Sequence, residues 1–304
     1  MEIYLPIAEM SVHWLIVLGM GGAIGFLSGL FGVGGGFLLT PLLIFYGVPA
    51  AVAVATTSSH ITASSISGAI AQWRKRAVDL KMGAVMAAGG LVGTGFGVWL
   101  FTYMRKQGQM DLLVSTSYVL LLGTVGGLML NESLGALRAA RSGASPARRV
   151  QHTWMHGLPF KTRFRESRLY ISVIPPAAIG FFVGILSAIM GVGGGFVIVP
   201  AMIYLLRMPT NVVMGTSLFQ IIIVTAATTV LQATTNYSVD IMLALFLIVG
   251  GVIGAQFGVR IGARLRGEQL RLLLALLVLA VAVRLFLGLV LTPDDLFSIA
   301  PVSP

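Results

Sequence analysis

The sequence predicts an all-α membrane protein: a ten-segment helical bundle made of two inverted five-segment repeats. Three observations lead there. The chain is too apolar and too poor in charge to cover a water-facing surface, a glycine-rich segment occurs twice at an offset of 159 residues, and the basic residues gather in alternate loops.

Apolar residues make up 57% of the 304 residues, charged residues 10%, and the mean hydropathy is +0.94. Soluble domains carry about 25% charged residues, so a bilayer is the expected solvent. A net charge of +10 in a soluble protein would suggest nucleic acid. Here the Lys and Arg residues lie between apolar stretches, as in loops on the cytoplasmic side, and no nucleic-acid partner is expected. There is no cysteine, which excludes disulfides, thiolate metal sites and cysteine nucleophiles. Met1 to Ser11 carries Glu2 and Glu9 and no basic residue, so the run from Val12 onward is expected to be a retained span rather than a cleaved signal.

Residues 25–41 read GFLSGLFGVGGGFLLTP and residues 184–200 read GILSAIMGVGGGFVIVP. The match continues downstream. Thr56-Thr57 aligns with Thr216-Ser217, His60 with Gln220, Gln72 with Gln232, Asp79 with Asp240, and Gly89-Gly90 with Gly250-Gly251. A duplication of this length is a common construction of secondary transporters. Five apolar segments fall in each copy, near 12–31, 36–47, 51–73, 81–103 and 111–130, and again near 169–190, 195–206, 210–233, 239–261 and 269–291. The first repeat is therefore 12–130, a basic linker is 131–168, and the second repeat is 169–291. The second segment of each copy has about half the ~20 residues of a full span. Two arrangements fit it: a re-entrant pair of half-helices or two tilted helices.

An odd number of spans repeated head to tail must point opposite ways in the bilayer. Placing the linker 131–168 in the cytoplasm puts 17 of the 20 basic residues on that side, with Arg105 and Lys106 in an outer loop and Arg284 within the last span. The loop after the third segment is basic in copy one (Arg74, Lys75, Arg76) and neutral in copy two (Thr234 to Tyr237), the reversal expected of an inverted repeat. The expected location is the inner (plasma) membrane, multi-pass, with both termini outside. Gly89, Gly93 and Gly97 recur every four residues, as do Gly250, Gly254 and Gly258, and Gly21, Gly25 and Gly29. Such stripes let helix backbones approach closely in lipid.

The doubled GVGGG segment with its downstream proline, in a chain of ten apolar segments, resembles the sulfite exporter TauE/SafE family of membrane permeases. The resemblance covers most of the chain outside the linker and tails. It implies transport of a small anion, typically a sulfur oxyanion or organosulfonate such as sulfite. The second copy departs from the first at Ala188, which stands at the Gly29 position, and at Met190, at the Phe31 position.

Several residues could carry such chemistry. A glycine run breaks a helix within the bilayer, and the helix that restarts beyond it presents bare N–H groups and a positive dipole end. Gly34, Gly35 and Gly36, with Gly193, Gly194 and Gly195, are therefore candidate anion contacts, the bland alternative being tight turns. No Lys-Ser or Lys-Thr follows either run, so neither is a phosphate-binding loop. The third segments supply hydroxyls and amides. Thr56, Thr57, Ser59, His60 and Gln72 in copy one, and Thr216, Ser217, Gln220 and Gln232 in copy two, are expected to line the path between two facing helices. The alternative is that the hydroxyls bond back to their own helices. Thr56 and His60 are four apart, as are Thr216 and Gln220, so each pair shares a face.

His60, the one histidine placed inside a span, is a candidate for holding the anion or coupling transport to protons. Asp79 and Asp240 begin the fourth segments and read as helix caps. No carboxylate falls mid-span, which favours an anion path over a cation path. There is no paired-acid, nucleophile–base or metal-ligand constellation, so no enzyme, metal or cofactor is expected, and a membrane-embedded enzyme or accessory subunit and an anion channel are the rival readings. The expected partners are the anion and membrane lipid.

Overall fold

The structure is a computed structural model that describes residues 2–31, 36–74, 77–142, 159–164, 166–167, 169–262 and 267–290. Among these residues the chain forms ten α-helices: α1 (Trp14–Phe31), α2 (Gly36–Phe45), α3 (Ala50–Arg74), α4 (Leu80–Lys106), α5 (Met110–Ser142), α6 (Ile174–Met190), α7 (Gly195–Tyr204), α8 (Thr210–Leu231), α9 (Ile241–Gly262) and α10 (Gly267–Val290). A π-type turn, Gln232–Asn236, ends α8. This is an all-α membrane protein. Among the described residues, five stretches are long and apolar enough to cross a bilayer: Leu80–Lys106, Met110–Asn131, Val212–Asn236, Ile241–Gly258 and Leu272–Val290. Helix α3 has 25 residues, but its hydroxyl run Thr56 to Ser59 lowers its apolarity.

Two short antiparallel hairpins are additions that hydropathy does not reveal. Strands β1 (Glu2–Leu5) and β2 (Met10–His13) pair Glu2 with His13, and β3 (Lys161–Phe164) and β4 (Leu169–Ser172) pair Lys161 with Ser172. Each hairpin runs directly into the first helix of a copy, so residues expected at the start of a span, Val12 and Leu169 to Ser172, are strand instead. Helix α5 also runs on to Ser142, well into the segment expected as linker.

The helix pairs repeat when the copies are exchanged. α1 packs along α9 and α6 along α4; α3 pairs with α8 and α5 with α10. The two glycine-rich seams are built alike. A Cβ at Gly21 would stand 2.6 Å from the Leu247 carbonyl, and one at Gly25 would collide with Gly251. At the matching seam, side chains at Gly89 and Gly93 would collide with the carbonyls of Ala177 and Phe181. Both seams therefore admit only glycine at these crossings. Beside these seams, Val92, Phe96 and Trp99 of α4 and Ile253 and Phe257 of α9 are exposed, as are Leu120 and Leu128 of α5, the surface expected of helices in lipid.

Candidate functional site

The second glycine break runs from Gly191 to Gly194. Gly191, Gly193 and Gly194 have φ of 68°, 70° and 76°, a left-handed run that only glycine adopts readily. The chain folds back along α6, so that Gly194 lies against Val183, about two turns before that helix ends. Helix α7 then restarts at Gly195. It spans ten residues, roughly 15 Å, half the hydrocarbon core. Val197 and Ile198 donate to Gly194 O, and the N–H groups before them, like those of any helix start, have no intrahelical acceptor. Pro200 and its counterpart Pro41 sit inside α7 and α2, so the carbonyls of Phe196 and Phe37, four residues back, lose their regular helical donors.

The two restarting helices meet. Phe37 and Phe196 stack with ring centroids 4.5 Å apart and planes 20° from parallel, and a Cβ at Gly36 would lie 3.1 Å from Val192 O. Ile61 of α3 fills the space beside both Gly36 and Gly193. The Tyr118 hydroxyl of α5 donates to Met190 O at 2.7 Å, fixing the end of α6 before the break. Gly34 and Gly35 lie outside the described residues. Gly36, Gly193, Gly194 and Gly195 are all buried.

The hydroxyls and amides of α3 and α8 fall into three groups. Ser59 and Ser217 bond back to Thr56 O (2.7 Å) and Met214 O (3.0 Å). Thr56 and Thr216 reach across the copies: Thr56 Oγ1 accepts from Asp240 N at 3.2 Å, and Thr216 Oγ1 accepts from Asp79 N at 2.9 Å. Gln232 is paired at both ends of its amide, donating to Ala188 O at 3.2 Å and accepting from Asn236 Nδ2 at 2.6 Å, whereas Gln72 is half-buried near the end of α3. The third group is buried with polar atoms that find no partner among the described residues: Thr57 Oγ1, His60 Nδ1 and both amide atoms of Gln220.

His60 and Gln220 do not face each other. The His60 ring lies against Gly251 of α9, and the Gln220 amide against Gly90 of α4. The α3–α8 seam is instead held by Thr62 Oγ1, which donates to Thr225 Oγ1 at 2.8 Å.

Asp79 and Asp240 cap α4 and α9, accepting from Met82 N (3.1 Å) and Leu243 N (3.0 Å). Each also holds a hairpin. Asp240 Oδ2 accepts from Ile7 N at 3.0 Å, in the turn between β1 and β2. Asp79 Oδ2 accepts from Ser167 N at 3.0 Å and Ser167 Oγ at 2.6 Å, in the turn between β3 and β4. The capping was visible in the sequence, but the hairpin contacts were not. The side chains of Thr94 and Ser187 are both buried and without a partner among the described residues; Ser187 recurs with Ser28 in the doubled segment, whereas Thr94 carried no sequence signal beyond lying in an apolar segment.

The chain is similar to known proteins along most of its length. A "Probable membrane transporter protein" of Xylella fastidiosa (strain 9a5c) is 33% identical over 283 residues, covering 90% of this chain and 95% of the relative. "Probable membrane transporter protein YjnA" of Bacillus subtilis (strain 168) is 26% identical over 269 residues, covering 88% and 97%. A "Probable membrane transporter protein" of Methanocaldococcus jannaschii is 24% identical over 275 residues, covering 86% and 90%. No solved structure matches. The sequence profile described as Sulfite exporter TauE/SafE matches residues 17–285, from within α1 into α10 and through both glycine-rich segments. The chain is thus a transmembrane transport protein and belongs to the sulfite exporter TauE/SafE family.

Proposed function

We propose that this chain is a secondary permease of the inner (plasma) membrane for a small anion, a sulfur oxyanion or organosulfonate such as sulfite, and not an enzyme. The observation that carries the reading is the meeting of the two helix restarts at Phe37 and Phe196. Two helix N-termini close together in an apolar bundle attract an anion without a fixed cation, because their amides and dipole ends point at the same region. A site without a charged side chain binds and releases a monovalent or divalent anion more readily than a buried ion pair would.

The reading includes inversion of the two copies. Exchanging them maps α1·α9 onto α6·α4 and one hairpin onto the other, and an odd number of segments per copy then places the hairpins on opposite sides of the membrane. With 131–168 in the cytoplasm, Arg105 is one of two basic residues in an outer loop. Its side chain is committed there: Arg105 Nη1 donates to Asn236 O and to Ser238 Oγ, the latter at 2.8 Å. This structural use explains a basic residue on the side the charge rule disfavours. The remaining cation off the cytoplasmic side, Arg284 within the last span, lies 5.3 Å from the Phe45 ring centroid on an exposed face of α10, where its stem can follow the lipid surface.

The test is a thermal-shift screen of purified protein against sulfite, sulfate, thiosulfate, alkyl sulfonates and carboxylates. Selective stabilisation by one sulfur anion supports the reading. No stabilisation by any of the panel, with flux of none of them in proteoliposomes, refutes it.

A further inference from the structure

We propose that Gln220, Thr94 and Ser187 form a charge-neutral oxyanion site between α8, α4 and α6, present at one of the two pseudo-equivalent helix crossings and not matched at the other. The inference deepens the anion-transport reading and rests on it.

All three side chains are fully buried, and Gln220 Nε2, Gln220 Oε1, Thr94 Oγ1 and Ser187 Oγ have no hydrogen-bond partner among the described residues. A helical hydroxyl normally returns its proton to its own helix. On these same helices Thr228 does so to Val224 O, Thr225 to Ile221 O and Thr102 to Val98 O, each at 2.8 Å. Thr94 and Ser187 depart from that habit although both are fully buried, where an unmet donor is costly.

The three residues share one helix crossing. A Cβ at Gly90 would lie 3.2 Å from Gln220 Nε2 and 3.4 Å from Gly180 O. A Cβ at Gly184 would collide with Gly90 O and stand 2.9 Å from Thr94 N. Thr94 follows Gly90 by one helical turn and Ser187 follows Gly184 by about one, so each hydroxyl stands on the face of its helix that carries the crossing. Ser187 O accepts from Gly191 N at 2.9 Å, which joins this crossing directly to the glycine break.

The donor set fits its proposed occupant. A primary amide offers two N–H donors and one acceptor, and each hydroxyl offers one donor. Four neutral donors on three helices suit an anion with three oxygens on one sulfur, and the amide oxygen suits a protonated oxygen or a bound water of such an anion. Exchanging the copies maps these positions onto His60 of α3, Ala255 of α9 and Ser28 of α1, so the equivalent crossing lacks the Thr94 hydroxyl and the carboxamide.

The experiment uses full-length protein with sulfite as the probe, read by thermal shift and by flux in proteoliposomes. The variants are Thr94→Val, Thr94→Ser, Ser187→Ala and Gln220→Leu, with Thr124→Val as control, since the Thr124 hydroxyl is exposed and bonds to Leu120 O. Thr94→Val, Ser187→Ala and Gln220→Leu are expected to keep or raise the ligand-free melting temperature, because each removes an unmet buried polar group. Each is expected to raise the KM for sulfite about tenfold, the loss of one good hydrogen bond. Thr94→Ser should restore the KM, and Thr124→Val should leave it unchanged. If wild type responds to sulfite and the three variants respond as wild type does, or if they lose melting temperature without a change in KM, the site is overturned while the transport reading stands. If wild type responds to no member of the anion panel, both fall.

Discussion

Thr216 Oγ1 of the second copy accepts a 2.9 Å hydrogen bond from the Asp79 amide of the first, across 137 residues of chain. Its counterpart, Thr56 to Asp240 at 3.2 Å, closes the same link in the opposite sense. Each aspartate caps one helix and holds a hairpin through its carboxylate, and donates its backbone N–H to the threonine of another helix, so three parts of the molecule meet at one residue. The asymmetry lies in the hairpin contact: Asp79 accepts from both the amide and the hydroxyl of Ser167, whereas Asp240 accepts from the Ile7 amide alone.

That difference predicts unequal costs. Asp79→Ala should destabilise the protein by about 3 kcal/mol and Asp240→Ala by about 2 kcal/mol, from lost buried hydrogen bonds. Ser167→Ala should account for about 1 kcal/mol of the difference. Melting temperatures of the three variants in detergent check the order.

The glycine seams predict a sharp contrast along one helix. A side chain at Gly93 would collide with the Phe181 carbonyl, whereas nothing lies within 4 Å of one at Gly95. Gly93→Leu should abolish recovery of folded monodisperse protein, and Gly95→Leu should leave it intact. Size-exclusion profiles of the two, prepared side by side, decide the matter.

At the break, Gly193→Ala must place a Cβ at φ +70° against Ile61. The left-handed backbone alone should cost about 1–2 kcal/mol, and the displaced Ile61 would disturb Gly36 as well. Reduced melting temperature together with loss of flux is expected, and unchanged flux would show that the geometry of the break is not needed for transport.

Inversion of the copies can be read by labelling, since the natural chain has no cysteine. Phe160 and Tyr237 are 77% and 76% exposed, which makes both accessible reporters. A cysteine in place of Phe160 should react only from the cytoplasmic side and one in place of Tyr237 only from outside. Reaction of both from the same side would remove the inverted arrangement.

Much of the fold can be read in the sequence because its signals are local. Segment lengths follow from hydropathy, capping from Asp79 and Asp240 at the helix starts, and close packing from glycines four apart. The faces of α3 and α8 were only half legible. The i, i+4 spacing correctly puts Thr56 with His60 and Thr216 with Gln220, but one helix alone does not say which neighbour a face meets. Thr56 and His60 turn towards α9, and Thr216 and Gln220 towards α4; Ile61, Thr62 and Thr225 take the seam instead. The hairpins escaped because four-residue strands such as EIYL and KTRF are too short for a period-two pattern to stand out. That the Thr94 and Ser187 hydroxyls lack a partner was hidden for another reason: a hydroxyl that bonds to its own helix and one that does not look the same in sequence.

The central claim is that this protein carries a small sulfur anion across the membrane. Proteoliposomes loaded with unlabelled sulfite and diluted into trace labelled sulfite test it most directly. A carrier should accumulate label transiently above equilibrium by exchange and saturate with rising concentration. Label uptake no faster than in protein-free vesicles, for sulfite and for every other anion of the panel, would contradict the account.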